Sequence, residues 1–221
     1  MRLLRGKGQR DDRILHLVAG RVLEYPNPEL LQSVPQLRSA LGEQPSGPTE
    51  PLLGVLDYLA GGDLEVLRQT YVDTFDLSRK HALYLSYWTD GDTRRRGEVL
   101  GQFKKVYRES GFLVDTHGEL PDYLPMVLEF AAIADPVTGR ELLSTYRASL
   151  ELLRIALVEH HSPYADAVVA VCATLPGRSP QTRAEVMAMA GLDGPPGVES
   201  VGLAPYGRTE LPLTAVSGGS R

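Results

Sequence analysis

Three consecutive arginines, Arg94, Arg95 and Arg96, stand where a helix should begin, one residue after the acidic turn Thr89-Asp90-Gly91-Asp92. A helix N-terminus carries partial positive charge, so cations in the first turn are locally unfavourable and need another partner. Asp92 is a suitable N-cap, and Val99, Leu100, Phe103, Val106 and Tyr107 then recur at helical spacing until Gly111. On that wheel Arg96 points along the apolar stripe, Arg95 lies at its edge and Arg94 faces solvent. The expectation is a partly buried Arg96 paired with a carboxylate, and an Arg95 facing a groove. The plain alternative is an exposed basic turn that acts only as solvation.

Around this turn lie aromatic and acidic side chains. Tyr71 and Phe75 fall on one helix face, and Tyr84 and Trp88 are four apart on the next segment, with Tyr87 between them. Rings with a polar edge suit a surface that binds another chain, although Phe75 also reads as ordinary core. The second group is Glu119-Leu120-Pro121-Asp122-Tyr123. Pro121 is suited to the first turn of a helix, which would place Asp122 where the dipole stabilises a carboxylate. On that helix Asp122 and Glu129 share the face opposite Leu124, Val127 and Ala131. With Glu119 they would form an exposed acidic edge, fit for a peptide carrying Lys or Arg beside apolar anchors.

Catalytic and metal signatures are missing. No Glu has a His three residues later, there is no H-E-x-x-H, and the lone Cys172 cannot build a thiolate zinc site. Cys172 lies in the apolar run VVAVCATL, which predicts a buried, inert thiol. His160 and His161 are adjacent and diverge by about 100° on a helix, so they read as a surface helix end. His16 reads as structural. Asp90 and Asp92 flank a glycine as a cation site might, but a turn with an N-cap explains them. Gly6-Lys7-Gly8 lacks the rest of a P-loop, and G-x-S-x-G does not occur. These residues predict no catalysis, no cofactor and no metal.

The elements that must position these groups are helical. Proline and glycine punctuate amphipathic runs from Asp12 onward, with expected breaks at Pro26 and Pro35 and an expected cap at Asp63. Pro136 opens the longest pattern, through Leu142, Tyr146, Leu150 and Leu157 to His160, with Arg147 and Glu151 as a modest surface pair. Ser162-Pro163 and Ser179-Pro180 are expected to open the last two helices. Period-two, β-branched runs are absent. The predicted fold is all-α: one bundle of roughly nine helices over residues 12–190, after a flexible segment 1–11 and before a Gly/Pro-rich irregular tail 191–221. A net charge of −5 disfavours nucleic acid. The single cysteine suits a reducing compartment. Neither a cleavable signal nor a run of about 20 apolar residues is present, so a cytoplasmic protein without membrane insertion is expected. A nucleotide hydrolase, motivated by arginines beside aspartates, and a structural subunit of a membrane complex are the rival readings.

Taken in order, YVDTFDLSRKHALYLSYWTDGDTRRRG, FKKVYRESG, ELPDYLPMVLEFAA, LLSTYRASLELLRIAL and SPYADAVVAVCATLP resemble the delta-subunit family of respiratory nitrate reductases. These are the NarJ-type members of the TorD-like molybdoenzyme chaperones. The resemblance spans residues 12–190. It implies an all-helical cytoplasmic chaperone that binds the N-terminal segment of the nitrate reductase catalytic subunit while the molybdenum cofactor is inserted, before membrane docking. It further implies contact with the proteins that make that cofactor. The family's E-x-P-D-H-like hinge falls on Glu119, Pro121, Asp122 and Tyr123, with tyrosine where histidine is usual. A proton switch at that histidine is therefore not carried over. The implied groove is lined by Tyr71, Phe75, Tyr84 and Trp88 and edged by Arg95, Glu119 and Asp122.

Overall fold

The computed structural model describes residues 11–44, 47–90, 94–112, 116 and 118–191. Eleven α-helices occur among them: α1 (Arg13–Val22), α2 (Pro28–Gly42), α3 (Glu50–Gly61), α4 (Leu64–Tyr71), α5 (Tyr87–Asp90), α6 (Arg94–Glu109), α7 (Leu124–Glu129), α8 (Pro136–Thr145), α9 (Arg147–Glu159), α10 (Ala165–Thr174) and α11 (Arg183–Met189). Two π-helical turns, Val72–Asp76 and Phe130–Ala134, extend α4 and α7, and a 3-10 turn covers Arg79–His81. No strand occurs among the described residues. One isolated antiparallel bridge joins Tyr84 to Tyr123. The all-α expectation holds.

Helix α1 is the spine. Its Val18, Ala19 and Val22 are fully buried, as is Leu23 just beyond its end, and it packs against α2, α3, α7, α10 and the second π turn. Gly20 allows the close approach to α7, because a Cβ there would lie 3.2 Å from the Pro125 carbonyl and 3.3 Å from Leu128 Cβ. Gly139 does the same where α8 crosses the second π turn. A Cβ there would stand 2.3 Å from Ala131 Cα. His16 on α1 is buried and bonds through Nε2 to Thr174 Oγ1 at 3.1 Å, as a structural histidine should. Cys172 is buried on α10, and desolvation pushes its thiol up.

Side chains close the helix ends. Asn27 accepts from Leu30 N, Asp63 from Glu65 N and Val66 N, and Asp135 from Val137 N and Thr138 N. The Asp63 cap was expected; Asn27 and Asp135 were not assigned. Helix α11 is capped by Thr182, which accepts from Glu185 N, and not by Ser179-Pro180.

Other expectations are corrected. Pro35 does not break α2. It lies on the exposed face, where the freed Leu31 carbonyl can reach water, while Leu30, Val34 and Leu41 bury the opposite face across it. The long helix after Pro136 is instead α8 and α9, interrupted at Tyr146, whose ring packs on Phe103 at 4.9 Å. This break and the short α5 account for the excess over nine. Arg147 and Glu151 are not a surface pair. Glu151 is fully buried and takes Arg154 Nε at 2.6 Å and Arg147 Nη2 at 3.5 Å. Arg147 also bonds the Gly177 and Arg178 carbonyls, so the pair ties the loop after α10 to α9.

Candidate functional site

The predicted aromatic and acidic residues meet at one place, where the segment 118–124 runs beside the segment 82–86. Backbone bonds stitch the two together: Leu85 N to the Asp122 carbonyl at 3.0 Å and Leu124 N to the Leu83 carbonyl at 2.7 Å. That pairing sets Tyr84 beside Tyr123, ring centroids 5.6 Å apart. The Tyr84 hydroxyl donates to Glu119 Oε2 at 2.7 Å. The Tyr123 hydroxyl meets the Tyr71 hydroxyl at 3.2 Å, and Tyr71 also donates to the Leu23 carbonyl at 3.1 Å.

Behind this surface the rings continue inward. Tyr71 ends α4, and the π turn that follows places Phe75 4.8 Å from it. Both rest on the fully buried Tyr164, at 5.8 and 5.2 Å. Tyr71 and Phe75 are therefore buried backing and not open lining. Outward, Tyr25 is 45% exposed, stands edge-on to Tyr71 at 5.4 Å and carries the Arg68 guanidinium at 5.8 Å from its ring. Trp88, partly buried, donates from Nε1 to the Ala82 carbonyl at 2.9 Å and meets Tyr87 edge-on at 6.5 Å. Tyr84 and Trp88, four apart in sequence, lie in different elements: Tyr84 sits in the bridge and Trp88 in α5.

Asp122 requires a correction. It lies two residues before α7 and not in a first helical turn, and Pro125, not Pro121, is the proline of that turn. Its side chain is 0% exposed, so the carboxylate is not available to water. Oδ2 accepts from Ser86 N at 3.0 Å and Ser86 Oγ at 2.6 Å. Pro121 is buried too, and its carbonyl accepts from the Tyr107 hydroxyl at 2.7 Å. No local pattern marks Ser86 as the partner, because the bond joins residues 36 apart.

Arg96 behaves as the helical wheel predicts. Its side chain is 15% exposed, with Nη2 3.9 Å from Asp122 Oδ2 and Nε donating to Ser86 Oγ at 3.2 Å. The guanidinium lies 5.9 Å from the Tyr84 ring centre and 5.7 Å from that of Tyr87. Residues 91–92 of the expected acidic turn, with the expected Asp92 cap, and the Asp90, Arg94 and Arg95 side chains lie outside the described residues.

Three carboxylates act on the Tyr123 hydroxyl: Glu119 from the hinge, Glu24 beyond α1 and Asp76 from the first π turn. Burial, with these charges adding to it, pushes the Tyr123 phenol up to about 12. Tyrosine here does not titrate near neutral pH. Burial also raises Glu24, which Arg21 partly offsets and Glu129 reinforces; Asp76 is raised by burial and by Glu119. Negative charge is thus concentrated on this face. Leu77 and Leu120, the chain neighbours of Asp76 and Glu119, are 74% and 38% exposed. Sequence reasoning missed Glu24, Asp76 and Tyr25, because only tertiary packing brings the ends of α1 and of the π turn to the hinge. Among the described residues no group of three or more His, Cys, Asp or Glu side chains could hold a metal, and no helix is long and apolar enough to cross a membrane.

Comparison with known proteins identifies the family and the fold. The family model described as nitrate reductase delta subunit matches residues 32–170. The nitrate reductase-like protein NarX of Mycobacterium tuberculosis is 44% identical over 157 residues, 71% of this chain, of which the chain spans only 23%. NarJ of Bacillus subtilis is 35% identical, with 70% of this chain and 84% of that protein covered. The nitrate reductase molybdenum cofactor assembly chaperone NarJ of Escherichia coli is 29% identical, covering 67% of this chain and 64% of that one. A crystal structure from Archaeoglobus fulgidus, assigned to the redox enzyme maturation proteins, shares the fold with a TM-score of 0.59 at 22% identity over 78% of this chain and 98% of that one. The chain belongs to the nitrate reductase delta subunit family.

Proposed function

We propose that this chain is an assembly chaperone for a nitrate reductase: it binds the N-terminal segment of the catalytic subunit and keeps it available while the molybdenum cofactor is inserted. It works by holding a polypeptide and makes or breaks no bond itself. Family membership and the named roles of the NarJ relatives support the reading. The observation that carries it to a place on the molecule is the hinge face. There Tyr84, Tyr123 and Tyr25 offer amphipathic rings, Leu77 and Leu120 offer exposed apolar contact, and Glu24, Asp76 and Glu119 concentrate negative charge.

Such a face favours a segment with one or two basic side chains set between apolar ones. Burial of the apolar residues supplies affinity, and the charges set register and association rate. Tyr71, Phe75 and Tyr164 hold the platform from behind. Arg95, at the head of α6, is retained as an edge residue of the proposed groove. Proteins that supply the cofactor are proposed as transient further partners.

Calorimetric titration of the protein with a synthetic N-terminal peptide of the nitrate reductase catalytic subunit tests the reading. Saturable one-to-one binding that weakens when Tyr84 and Glu119 are replaced by alanine is expected. Absence of binding, together with normal cofactor content of the reductase in a strain lacking this protein, would overturn it.

A further inference from the structure

The hinge carboxylate of Asp122 is enclosed, yet only half of it is used. Oδ2 holds both bonds from Ser86, whereas Oδ1 has no hydrogen-bond partner, and the side chain is fully buried. A buried carboxylate oxygen without a donor is costly, and charge-assisted donors relieve that cost best. Among the described residues Arg96 is within ion-pair reach and is connected to the same carboxylate in relay: its Nε donates to Ser86 Oγ, and Ser86 Oγ donates to Asp122 Oδ2. Its Nη2 stands 3.9 Å from Oδ2, within ion-pair reach but about 1 Å too long for a hydrogen bond.

The groups held by this relay are those that shape the docking face. The Arg96 guanidinium lies against the rings of Tyr84 and Tyr87. Tyr84 bonds Glu119 on the outer side of the hinge. On the inner side, Tyr107 of the same helix α6 donates to the Pro121 carbonyl. Helix α6 therefore grips the hinge at two points, one through Tyr107 and one through Arg96, while the outward side of the hinge faces the proposed segment.

Resting on the reading of this face as a peptide-docking surface, we propose that Asp122 is a positioning residue and the acceptor half of a latch. When a segment docks against Tyr84 and Glu119, the Arg96 guanidinium moves off the tyrosine faces and closes onto Asp122 as a two-pronged pair that occupies Oδ1. Nη2 needs about 1 Å to come within hydrogen-bond distance of Oδ2, a side-chain adjustment that brings the guanidinium fork against the carboxylate. Docking and the Arg96–Asp122 pair are then linked, each strengthening the other. Asp122 acts on the bound segment through Arg96 and never touches it.

The test is a double-variant cycle on the full chain, with peptide affinity and an arginine side-chain signal as readouts. Asp122→Asn keeps an oxygen for Ser86 and removes the second charged acceptor; Arg96→Gln removes the other partner at a partly exposed site. Urea unfolding first establishes that each variant folds. Each single variant is expected to weaken peptide binding about 10-fold, and the double variant by the same ~10-fold and not ~100-fold, because the two residues act as one unit. In the wild type the Arg96 Nε–Hε NMR signal shifts on peptide addition, and in Asp122→Asn it does not. Multiplying losses, or an Arg96 signal indifferent to peptide while the wild type binds, overturn the latch and leave the docking surface standing. A wild type that fails to bind removes both.

Discussion

Replacing Asp122 by alanine should cost far more than a loop carboxylate ordinarily would. Two donors of Ser86 end on Oδ2, and the side chain has no exposure. Hydrogen bonds to a charged acceptor contribute about 1.5–3 kcal/mol each, and losing the acceptor also leaves buried donors unsatisfied. Arg96 loses its carboxylate as well, but its 15% exposure lets water compensate for part of that loss. The sum is about 3–5 kcal/mol. At roughly 2–4 °C per kcal/mol for a chain of this size, the melting temperature should fall by about 6–20 °C. Asp122→Asn, which keeps one oxygen for Ser86, should lose only about 1–2 kcal/mol. Thermal and urea unfolding of the three proteins measure this directly. An alanine variant that melts within about 2 °C of the wild type would refute the description of Asp122 as a desolvated organiser of the hinge.

Three further outcomes are expected. Asp76 is raised by burial and by Glu119, so its ionised form is disfavoured in the fold; its stability contribution is present in acid and is lost as pH rises through the folded value. Asp76→Asn should therefore be slightly more stable than wild type at pH 7, with the advantage vanishing in acid, yet bind the peptide about 3–10-fold more weakly; equal or tighter binding would contradict the role of the carboxylate rim. Burial, aided by Arg140, lowers His16 from 6.5 to about 4. A depressed histidine contributes stability that is lost as pH falls from the ordinary value toward the folded one, so wild type should lose stability between pH 7 and 4 more steeply than His16→Gln, and parallel unfolding curves would count against it. Gly139→Ala must displace backbone, because its Cβ would meet Ala131 Cα at 2.3 Å; a loss of about 3 kcal/mol or more in urea unfolding is expected.

The sequence revealed the fold class because helix period, proline and glycine punctuation and caps such as Asp63 are local. It revealed Arg96 because a wheel places a charge on an apolar stripe regardless of what lies opposite. It named Asp122 but did not reveal its burial, because its local setting resembles an exposed first helical turn while its real partner, Ser86, is fixed by a bridge between distant segments. Glu151 misled in the same way: an i,i+4 pair reads as surface, whereas Arg147 and Arg154 follow it into the interior to hold the loop after α10. The π turn at Val72–Asp76 hid Asp76, since a wider turn shifts every later side chain off a 3.6-residue wheel. The two tyrosines of the bridge were legible as a neighbourhood but not as a pair, because neither shows the alternation that announces a strand.

The central claim is that another polypeptide is held on the hinge face. NMR mapping of the full chain during titration with the N-terminal peptide of the catalytic subunit tests it most directly. The largest perturbations should fall on Tyr84, Glu119, Leu120 and Tyr123, with Trp88 and Leu77 at the margin. Perturbations gathered instead around the exposed Ile133 and Val137, with Tyr84 and Tyr123 unchanged, would contradict it.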